Sequence, residues 1–370
     1  MSGILLGAKP NIEKPATVRA FGVEWAGGPS TQLTRLGAAA GFSDPVPGIG
    51  TSDGSSPFDD IMPWAGMKEF NVINDAVFYE KGVDAEFTRA GYDTVVRIPK
   101  FWYKVDYTTN WQLWIANGEM DGFTVHPAFE GKDYIYVGKY TTGTGTVSKS
   151  GVSPLVNVTR AQCRTNARNK GSHWDLIDFK TYSALWMLYL VEYADWDSQA
   201  AVGNGYTSAS AVTTCGGTDS VRYHTGRGTD VNSQIKYRGI EDLWGNAWQW
   251  CDGINFSGTQ AYYCTDRSKY ADDTSTNYTR VSFSCVSGSQ SYPTRHGYDS
   301  SAPWVLLPSA VGGSTATYIP DGWWTSTNWR VFRFGGRYDN GLGAGLFARS
   351  AYNTSSYSDA NNGGRLLFIP

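Results

Sequence analysis

Residues 239–253, with the sequence GIEDLWGNAWQWCDG, carry the most distinctive pattern in the chain. The adjacent Gly245 and Asn246 are typical of a tight turn, because both residue types tolerate left-handed backbone conformations. Beyond the turn, Trp248 and Trp250 stand two positions apart, and the two-residue period of a strand directs both indoles to the same layer. The stretch therefore predicts a tight turn that leads into a strand with tryptophans on one face.

The composition of the chain around this stretch favours a β-rich protein with many loops. The 370 residues include 43 Gly, 23 Tyr and 15 Trp, and long helix-forming runs are few. Tyr and Trp combine an apolar ring with a polar tip, which suits them to cores and equally to wet recognition surfaces. Lys and Arg number 31 against 34 Asp and Glu, with no basic run, so we expect no nucleic-acid partner.

The chain shows no pattern for membrane insertion or for ordinary secretion. No apolar run reaches the 18 residues that a membrane-spanning helix needs. Residues 1–9 (MSGILLGAK) lack the basic start and the long apolar stretch of a signal peptide. We therefore expect synthesis in the cytoplasm and no membrane insertion.

The length predicts two domains. Residues 1–93 form a small β-rich N-terminal domain in this prediction, with an assembly or attachment role, and residues 94–370 form a larger ligand-binding domain. A tract rich in Gly, Pro and Ser at residues 41–57 precedes an apolar cluster at residues 58–64. Such a tract is either functional or packed against a partner, and we expect it to wrap a neighbouring domain or subunit.

Local patterns in the larger domain predict an α+β fold. Strand patterning occupies residues 95–107 and 134–140. A capping box from Thr159 to Gln162 opens one helix, which ends near Gly171, and a second helix is predicted over residues 179–194. Beyond residue 200 we expect short strands separated by long irregular stretches.

The opening stretch resembles the D-x-x-G-N-x-W-E-W signature of the formylglycine-generating-enzyme branch of the C-type-lectin fold. The matching positions are Asp242, Gly245, Asn246, Trp248 and Trp250, with Gln249 in place of the usual Glu. Residues 334–337, 348–350 and 363–368 are similar to the family's succession of C-terminal motifs. The resemblance covers residues 95–370 and implies a C-type-lectin-like fold of the formylglycine-generating-enzyme type, preceded by the small β-rich domain.

The chain departs from the enzymes of this family at the positions that carry their chemistry. Those enzymes use two reactive cysteines near the C-terminus or a set of iron-binding histidines, whereas no cysteine follows Cys285 and no two histidines stand four residues apart. We therefore predict no catalytic residue, no metal site and no cofactor. Two alternative functions stay open: an oxidase or iron-dependent enzyme of this fold, and a purely structural component of a phage tail. The five cysteines are compatible with one or two disulfides.

A non-enzymatic branch of the same fold resembles the chain more closely. It contains the variable proteins of diversity-generating retroelements, including the phage major tropism determinant, whose C-terminal strands and loops hold mutable binding residues. The resemblance implies a receptor-binding protein of a phage or prophage tail that binds a bacterial surface protein or glycan. It further implies a homotrimer, contacts with other tail proteins and a place in the virion.

Residues 321–370 have the composition of a recognition surface. They contain no Lys and no Glu but ten aromatic residues, five Arg and five Asn. Such side chains supply contact area and adaptable hydrogen bonds with little loss of entropy. We predict that the ligand-contacting residues are Trp323, Trp324, Asn328, Arg330, Arg333, Arg337, Tyr338, Asp339, Asn340, Tyr352, Asn353, Ser355, Ser356 and Tyr357.

Alternative roles apply to two tryptophans of this set and to three arginines, of which only Arg337 belongs to the set. Core packing is as compatible with the two adjacent tryptophans, Trp323 and Trp324, as ligand contact is. Arg337, Arg349 and Arg365 match framework positions of the resembled family and can hold loops through main-chain carbonyls.

Overall fold

The computed structural model describes residues 17–370 as a sheet-rich α+β fold, which confirms the predicted fold class. Most strands are short because Gly, Ser, Asn and Thr interrupt the apolar runs. The strands are β1 (Ala20–Trp25), β2 (Thr34–Gly37), β3 (Gly48–Ile49), β4 (Glu69–Ile73), β5 (Ala76–Glu80), β6 (Asp93–Pro99), β7 (Trp102–Tyr107), β8 (Trp111–Ala116), β9 (Thr124–Val125), β10 (Tyr134–Gly138), β11 (Trp174–Leu176), β12 (Gly226–Arg227), β13 (Ile235–Tyr237), β14 (Ile240–Glu241), β15 (Trp248–Ser257), β16 (Gln260–Tyr263), β17 (Thr279–Ser284), β18 (Ser289–Ser291), β19 (Pro293–His296), β20 (Pro308–Val311), β21 (Trp323–Thr325), β22 (Trp329–Phe334), β23 (Arg349–Ala351), β24 (Asn362–Gly363) and β25 (Leu366–Phe368).

Three α-helices lie within residues 17–370: α1 (Arg160–Arg168), α2 (Phe179–Tyr193) and the single turn α3 (Ser198–Ala201). The predicted capping box is present, because the Thr159 hydroxyl accepts from the Gln162 amide while the Gln162 side chain accepts from the Thr159 amide. Helix α2 matches its predicted bounds but is buried on every side, not on one face. It is enclosed because it packs against β1 and β8 of one sheet and against β15 of another.

The C-terminal half of the chain forms an eight-stranded sheet in the order β17-β16-β15-β22-β23-β21-β18, with β24 paired to β15 outside this path. Strand β15 follows the turn at Gly245 and Asn246, and both of these residues have the positive φ that the sequence predicts. At its centre β15 pairs antiparallel with β22, and a bulge interrupts the register between Cys251 and Asn255. Four of the fourteen residues predicted to contact a ligand lie on strands of this sheet, and the other ten lie in the loops beside them.

Strands from both sides of the predicted domain boundary share two further sheets. Strands β1 and β2 complete a five-stranded sheet in the order β2-β1-β8-β7-β9, and β4 and β5 extend a six-stranded sheet in the order β11-β25-β10-β6-β4-β5. One apolar cluster contains residues from Phe21 to Ile369. The boundary at residues 93 and 94 therefore does not separate two independent cores, because β4 is hydrogen-bonded directly to β6.

The segment at residues 41–67 wraps the rest of the chain, as its composition predicts. Its strand β3 pairs in parallel with β12, far along the chain. The apolar end of the segment is buried: Phe58 packs on Trp64 with ring centroids 4.5 Å apart, and the Trp64 indole donates to the carbonyl of Leu188 in α2 at 3.0 Å. Residues 58–67 are therefore part of the core, whereas most of residues 41–57 stay exposed or half-exposed on the surface.

Candidate ligand-binding face

The eight-stranded sheet has an inner face that packs on α2. Along β22, Phe332 and Phe334 point inward, and the Phe334 ring stacks on Tyr182 of α2 with centroids 4.3 Å apart. Because side chains alternate along a strand, Trp329, Val331 and Arg333 point to the opposite side. We call that side of the sheet the outward face.

Strand register identifies which residues share the outward face at its centre, because residues directly opposite each other on paired strands lie on the same side. Arg333 of β22 is opposite Trp250 of β15 and Ser350 of β23. Ser350 in turn is opposite Trp324 of β21. The centre of the outward face therefore combines an arginine with tryptophans from two other strands. Of these residues only Trp324 is half-exposed, because Trp250 is fully buried and Arg333 is 9% exposed.

The same register extends the outward face across β16 and β17. Trp329 is opposite Ser257, and Tyr262 is opposite both Asn255 and Arg280. The rings of Tyr262 and Trp329 lie 5.7 Å apart. Tyr262 and Trp329 are half-buried and Arg280 is exposed, so this half of the face presents two neighbouring, mutually tilted aromatic rings beside an exposed arginine.

Arg333 is the most enclosed charged residue of the outward face. Its guanidinium lies 4.7 Å from the Trp248 ring and 5.9 Å from the Tyr357 ring, and one of its nitrogens donates to the side-chain oxygen of Asn362. Burial lowers the pKa of Arg333 below its ordinary value. Trp248 also packs edge-to-face on Trp324. Three predicted residues and one motif residue thus form a cluster of aromatic rings and one guanidinium: Arg333, Trp324, Tyr357 and Trp248.

Hydrogen bonds and one ion pair fix the loop after β22, which contains four predicted residues. The guanidinium of Arg337 forms a paired contact with the Asp339 carboxylate, and the Asn340 side chain accepts from the Arg337 amide at 3.0 Å. Tyr338 donates its amide to the Asn246 carbonyl at 3.0 Å and accepts from the Ala209 amide at 2.7 Å. The backbone is fixed in this way, while all four side chains stay exposed or half-exposed.

The remaining predicted residues lie at two neighbouring places. Asn328 is exposed and has a left-handed backbone conformation in the turn between β21 and β22. At the start of β22, Arg330 donates to Ser326 at 3.1 Å. After β23, Tyr352 is 49% exposed, Ser355 donates to Asp273, and Ser356 is exposed. The structure therefore distributes the set along β22, with Asn328 before the first residue of the strand and residues 337–340 beyond its last residue, at the opposite end.

Three members of the predicted set are buried, namely Trp323, Asn353 and Arg333. Trp323 is a core residue, because it faces inward on β21, is 0% exposed and donates to the Val286 carbonyl at 2.8 Å. Asn353 is buried beside β22, where its carbonyl accepts from the Val331 amide at 3.0 Å. The composition of residues 321–370 does not distinguish these inward residues from outward ones, whereas strand alternation does.

The sequence analysis missed three residues of the outward face: Trp329, Tyr262 and Arg280. The alternation from Trp329 to Phe334 gives a signal for the first, since it sets Trp329 apart from the inward Phe332 and Phe334. Tyr262 and Arg280 lie outside residues 321–370, and only the pairing of β16 with β15 and of β17 with β16 brings them to this face.

Of Arg337, Arg349 and Arg365, the last two hold the framework through main-chain carbonyls. Arg349 is buried and donates to the carbonyls of Leu306 and Phe347, and Arg365 is buried against four carbonyls and Gln249. Arg337 is half-exposed and has an acidic partner in its own loop. The motif position Gln249 accepts from Arg365 at 2.7 Å, so the departure from Glu places a neutral partner beside a buried arginine.

The cysteine environments are those of structural residues. All five cysteines are free and buried, and burial raises the pKa of Cys163 and of Cys285 to about 12. Reactive cysteines instead have lowered pKa values. Within residues 17–370 no group of three or more His, Cys, Asp and Glu side chains has the spacing of a metal site.

The described residues contain no helix with the length and apolar character needed to cross a bilayer. Residues 1–9, which lack the pattern of a signal peptide, lie outside the described part of the chain.

No protein-family model matches the chain, and no curated protein matches it. Among solved structures, the chain is similar to the "Major Tropism Determinant U1 Variant" at 12% identity and a TM-score of 0.33, over 82% of this chain and 71% of that one. The "Major Tropism Determinant I1 Variant" matches over the same shares at 10% identity with a TM-score of 0.33.

The "Major Tropism Determinant P3c Variant" is 11% identical with a TM-score of 0.31, over 64% of this chain. The chain spans about half the length of that structure, with 51% covered. TM-scores of this size carry no conclusion about function. The solved structures found are variants of the Major Tropism Determinant, the protein that the sequence resemblance also includes.

Proposed function

We propose that this protein is a receptor-binding, tropism-determining protein of a phage or prophage tail. Its outward face and the bordering loops bind a protein or glycan on a bacterial surface, without bond making or breaking. The residues that contact the ligand are those of the predicted set that remain exposed or half-exposed, together with the nearly enclosed Arg333 and with Trp329, Tyr262 and Arg280.

One observation carries this proposal: the outward face presents aromatic, amide and guanidinium groups on a rigid base. The inner side of the same strands packs on α2, and the loops that border the face are held by main-chain hydrogen bonds. A base of this kind limits the entropy that binding removes. Half-exposed Trp and Tyr beside Asn, Ser and Arg is the composition of antibody-like contact surfaces.

The proposal includes the C-type-lectin-like fold of the formylglycine-generating-enzyme type. Two features support it, namely the turn at Gly245 and Asn246 before β15 and the buried contact between Gln249 and Arg365. Both features involve motif positions of the resembled family. In this scaffold the outward face takes the place of a catalytic centre.

The assembly and location follow from the same resemblance. We propose a homotrimer in the virion, built in the host cytoplasm, in which residues 1–93 contribute contacts to other tail proteins. Several copies on one particle raise the strength of attachment, because later binding events occur at high local concentration. Light scattering of the purified protein measures the mass, and we expect three times that of one chain.

The proposal also includes diversification of residues 321–370. The test is the DNA beside the gene: we expect a near-copy of the codons for residues 321–370 that differs at adenines and lies next to a reverse transcriptase gene. A locus without such a copy would limit the proposal to a fixed binding face.

Alanine substitutions in the loops test the receptor role directly. We expect the combined change of Tyr338, Asn340 and Tyr352 to Ala to abolish capture of host cells from a panel of bacterial strains on protein-coated beads, with near-UV circular dichroism unchanged. Undiminished capture would instead support a purely structural tail component.

A further inference from the structure

Arg333 has hydrogen-bonding capacity that its surroundings do not use. The residue is only 9% exposed, yet one nitrogen donates to Asn362 while the Nε group has no hydrogen-bond partner within residues 17–370. A buried donor without a partner costs about 1–3 kcal/mol. Such a donor in an otherwise ordered surface indicates a site at which a ligand supplies the missing acceptor.

The other buried arginines of the chain differ from Arg333 in this respect. Arg365 donates from all three of its nitrogens to four carbonyls and to Gln249, and Arg349 also uses all three. Arg160 is fully bonded and has the carboxylate of Asp272 as a partner at 2.7 Å. Those three arginines hold the fold together, whereas the Nε donor of Arg333 is enclosed and has no partner within residues 17–370.

The charges near Arg333 leave its own charge without a direct partner. The carboxylate of Asp359 accepts the Tyr357 hydroxyl at 2.7 Å, and that of Asp339 is paired with Arg337. Arg337 is a second cation close enough to influence Arg333. Within residues 17–370 no carboxylate oxygen forms an ion pair with Arg333.

We propose that the outward face holds a carboxylate group of its ligand at Arg333. The free edge of a guanidinium is planar and matches the two oxygens of a carboxylate with parallel hydrogen bonds. The flat rings of Trp248, Trp250 and Tyr357 surround it at 4.7, 5.8 and 5.9 Å, and they lower the water content of the site, which strengthens a charge-assisted hydrogen bond. The ligand class is an acidic sugar, because aromatic faces beside a cation suit a carboxylated ring.

This inference rests on the proposed function, and it adds the chemistry that the face recognises. The probe is glucuronate, compared with its methyl ester and with glucose, which present a similar ring without the charge. Saturation-transfer NMR and tryptophan fluorescence titration at neutral pH measure binding to the full chain. We expect glucuronate to bind at least tenfold more tightly than either neutral sugar, because only it supplies the anion.

Two substitutions locate the effect. Arg333→Gln is expected to reduce glucuronate binding at least tenfold, while Arg222→Gln, which removes an exposed arginine outside the eight-stranded sheet, leaves it unchanged. Near-UV circular dichroism reports whether the Gln variant is folded. If that variant does not fold, the comparison of glucuronate with its methyl ester on the unaltered chain still decides the question.

Equal binding of glucuronate and the methyl ester overturns the inference, and so does full binding by folded Arg333→Gln. Inorganic phosphate that displaces glucuronate better than acetate does at equal ionic strength overturns the carboxylate assignment. A negative result here with intact capture of host cells leaves the receptor role standing, since that role is measured with substitutions at other residues.

Discussion

Arg365 joins three separate parts of the chain through one guanidinium. It donates to the carbonyls of residues 138–139 and 241–242 and to the side chain of Gln249, at 2.6–3.0 Å. Burial lowers its pKa to about 10. The sequence identifies Arg365 as a framework candidate by its place in a motif, but the carbonyls that it binds come from distant segments that no local pattern connects.

Replacing Arg365 removes all of these contacts at once. We expect Arg365→Met to lower the free energy of unfolding by about 3–5 kcal/mol, because buried carbonyls lose their donors. Guanidinium chloride unfolding followed by fluorescence measures the change. Arg280→Met is the matched control at an exposed position, where the change should stay within about 0.5 kcal/mol. Equal losses in the two variants would contradict the framework role.

Asp242 gives the stability a dependence on pH. Burial raises its pKa from 3.8 to about 7, and one carboxylate oxygen is buried without a partner in the described residues. The folded protein therefore keeps a proton between about pH 4 and pH 7 that the unfolded chain releases. The contribution of Asp242 to stability is present below pH 4 and is lost as the pH rises through 7.

Asp242→Asn isolates this effect, because the amide resembles the protonated carboxyl and does not titrate. We expect the stability of the original protein relative to the variant to fall between pH 4 and pH 8. Urea unfolding at several pH values in that window measures the difference, and parallel curves for the two proteins would show that Asp242 does not titrate there.

At the scale of elements, sequence predicts what local chemistry determines. The capping box at Thr159 and the bounds of α2 are local, and both are confirmed. The burial of α2 on all sides is not local, because the two sheets that enclose it come from residues far apart in the chain. In the same way, the alternation along β22 predicts two faces, but only the pairing of strands shows which face meets α2.

The segment at residues 41–67 contributes to stability through Trp64. This indole is fully buried and bonded to α2, so Trp64→Ala leaves a cavity and removes one hydrogen bond to the helix. We expect a loss of about 3–5 kcal/mol in the free energy of unfolding. Phe78→Ala, at an aromatic residue that is 51% exposed, is the control and should change stability little. A small effect of both substitutions would mean that the segment is only loosely attached.

At the scale of the whole molecule, the parts of the chain are joined by sheet pairing across long sequence distances. Residues 17–93 supply β1, β2, β4 and β5 to sheets that also contain strands of the C-terminal part. Composition and motif coverage place a domain boundary at residue 93. This boundary overlooks the shared sheets, because no sequence pattern reports which strands pair. The residues of the outward face likewise come from several strands, which explains why one C-terminal segment supplied only part of the face.

Shared sheets predict cooperative unfolding of residues 17–370. We expect one transition in thermal unfolding, with far-UV circular dichroism and tryptophan fluorescence giving the same midpoint. A fragment that begins at residue 94 should not fold, since β6 and β8 lose partner strands. Two separated transitions, or a folded fragment, would instead favour two independent domains.

The binding of bacterial cells by a matched pair of double variants tests the central claim most directly. One variant carries Trp329→Ala and Tyr352→Ala on the outward face, and the other carries Phe78→Ala and Tyr92→Ala at exposed aromatic residues elsewhere. Flow cytometry with the labelled proteins measures binding to a strain that the original protein binds. The account predicts loss of binding for the first variant alone, with both proteins folded, and equal binding by the two would contradict it.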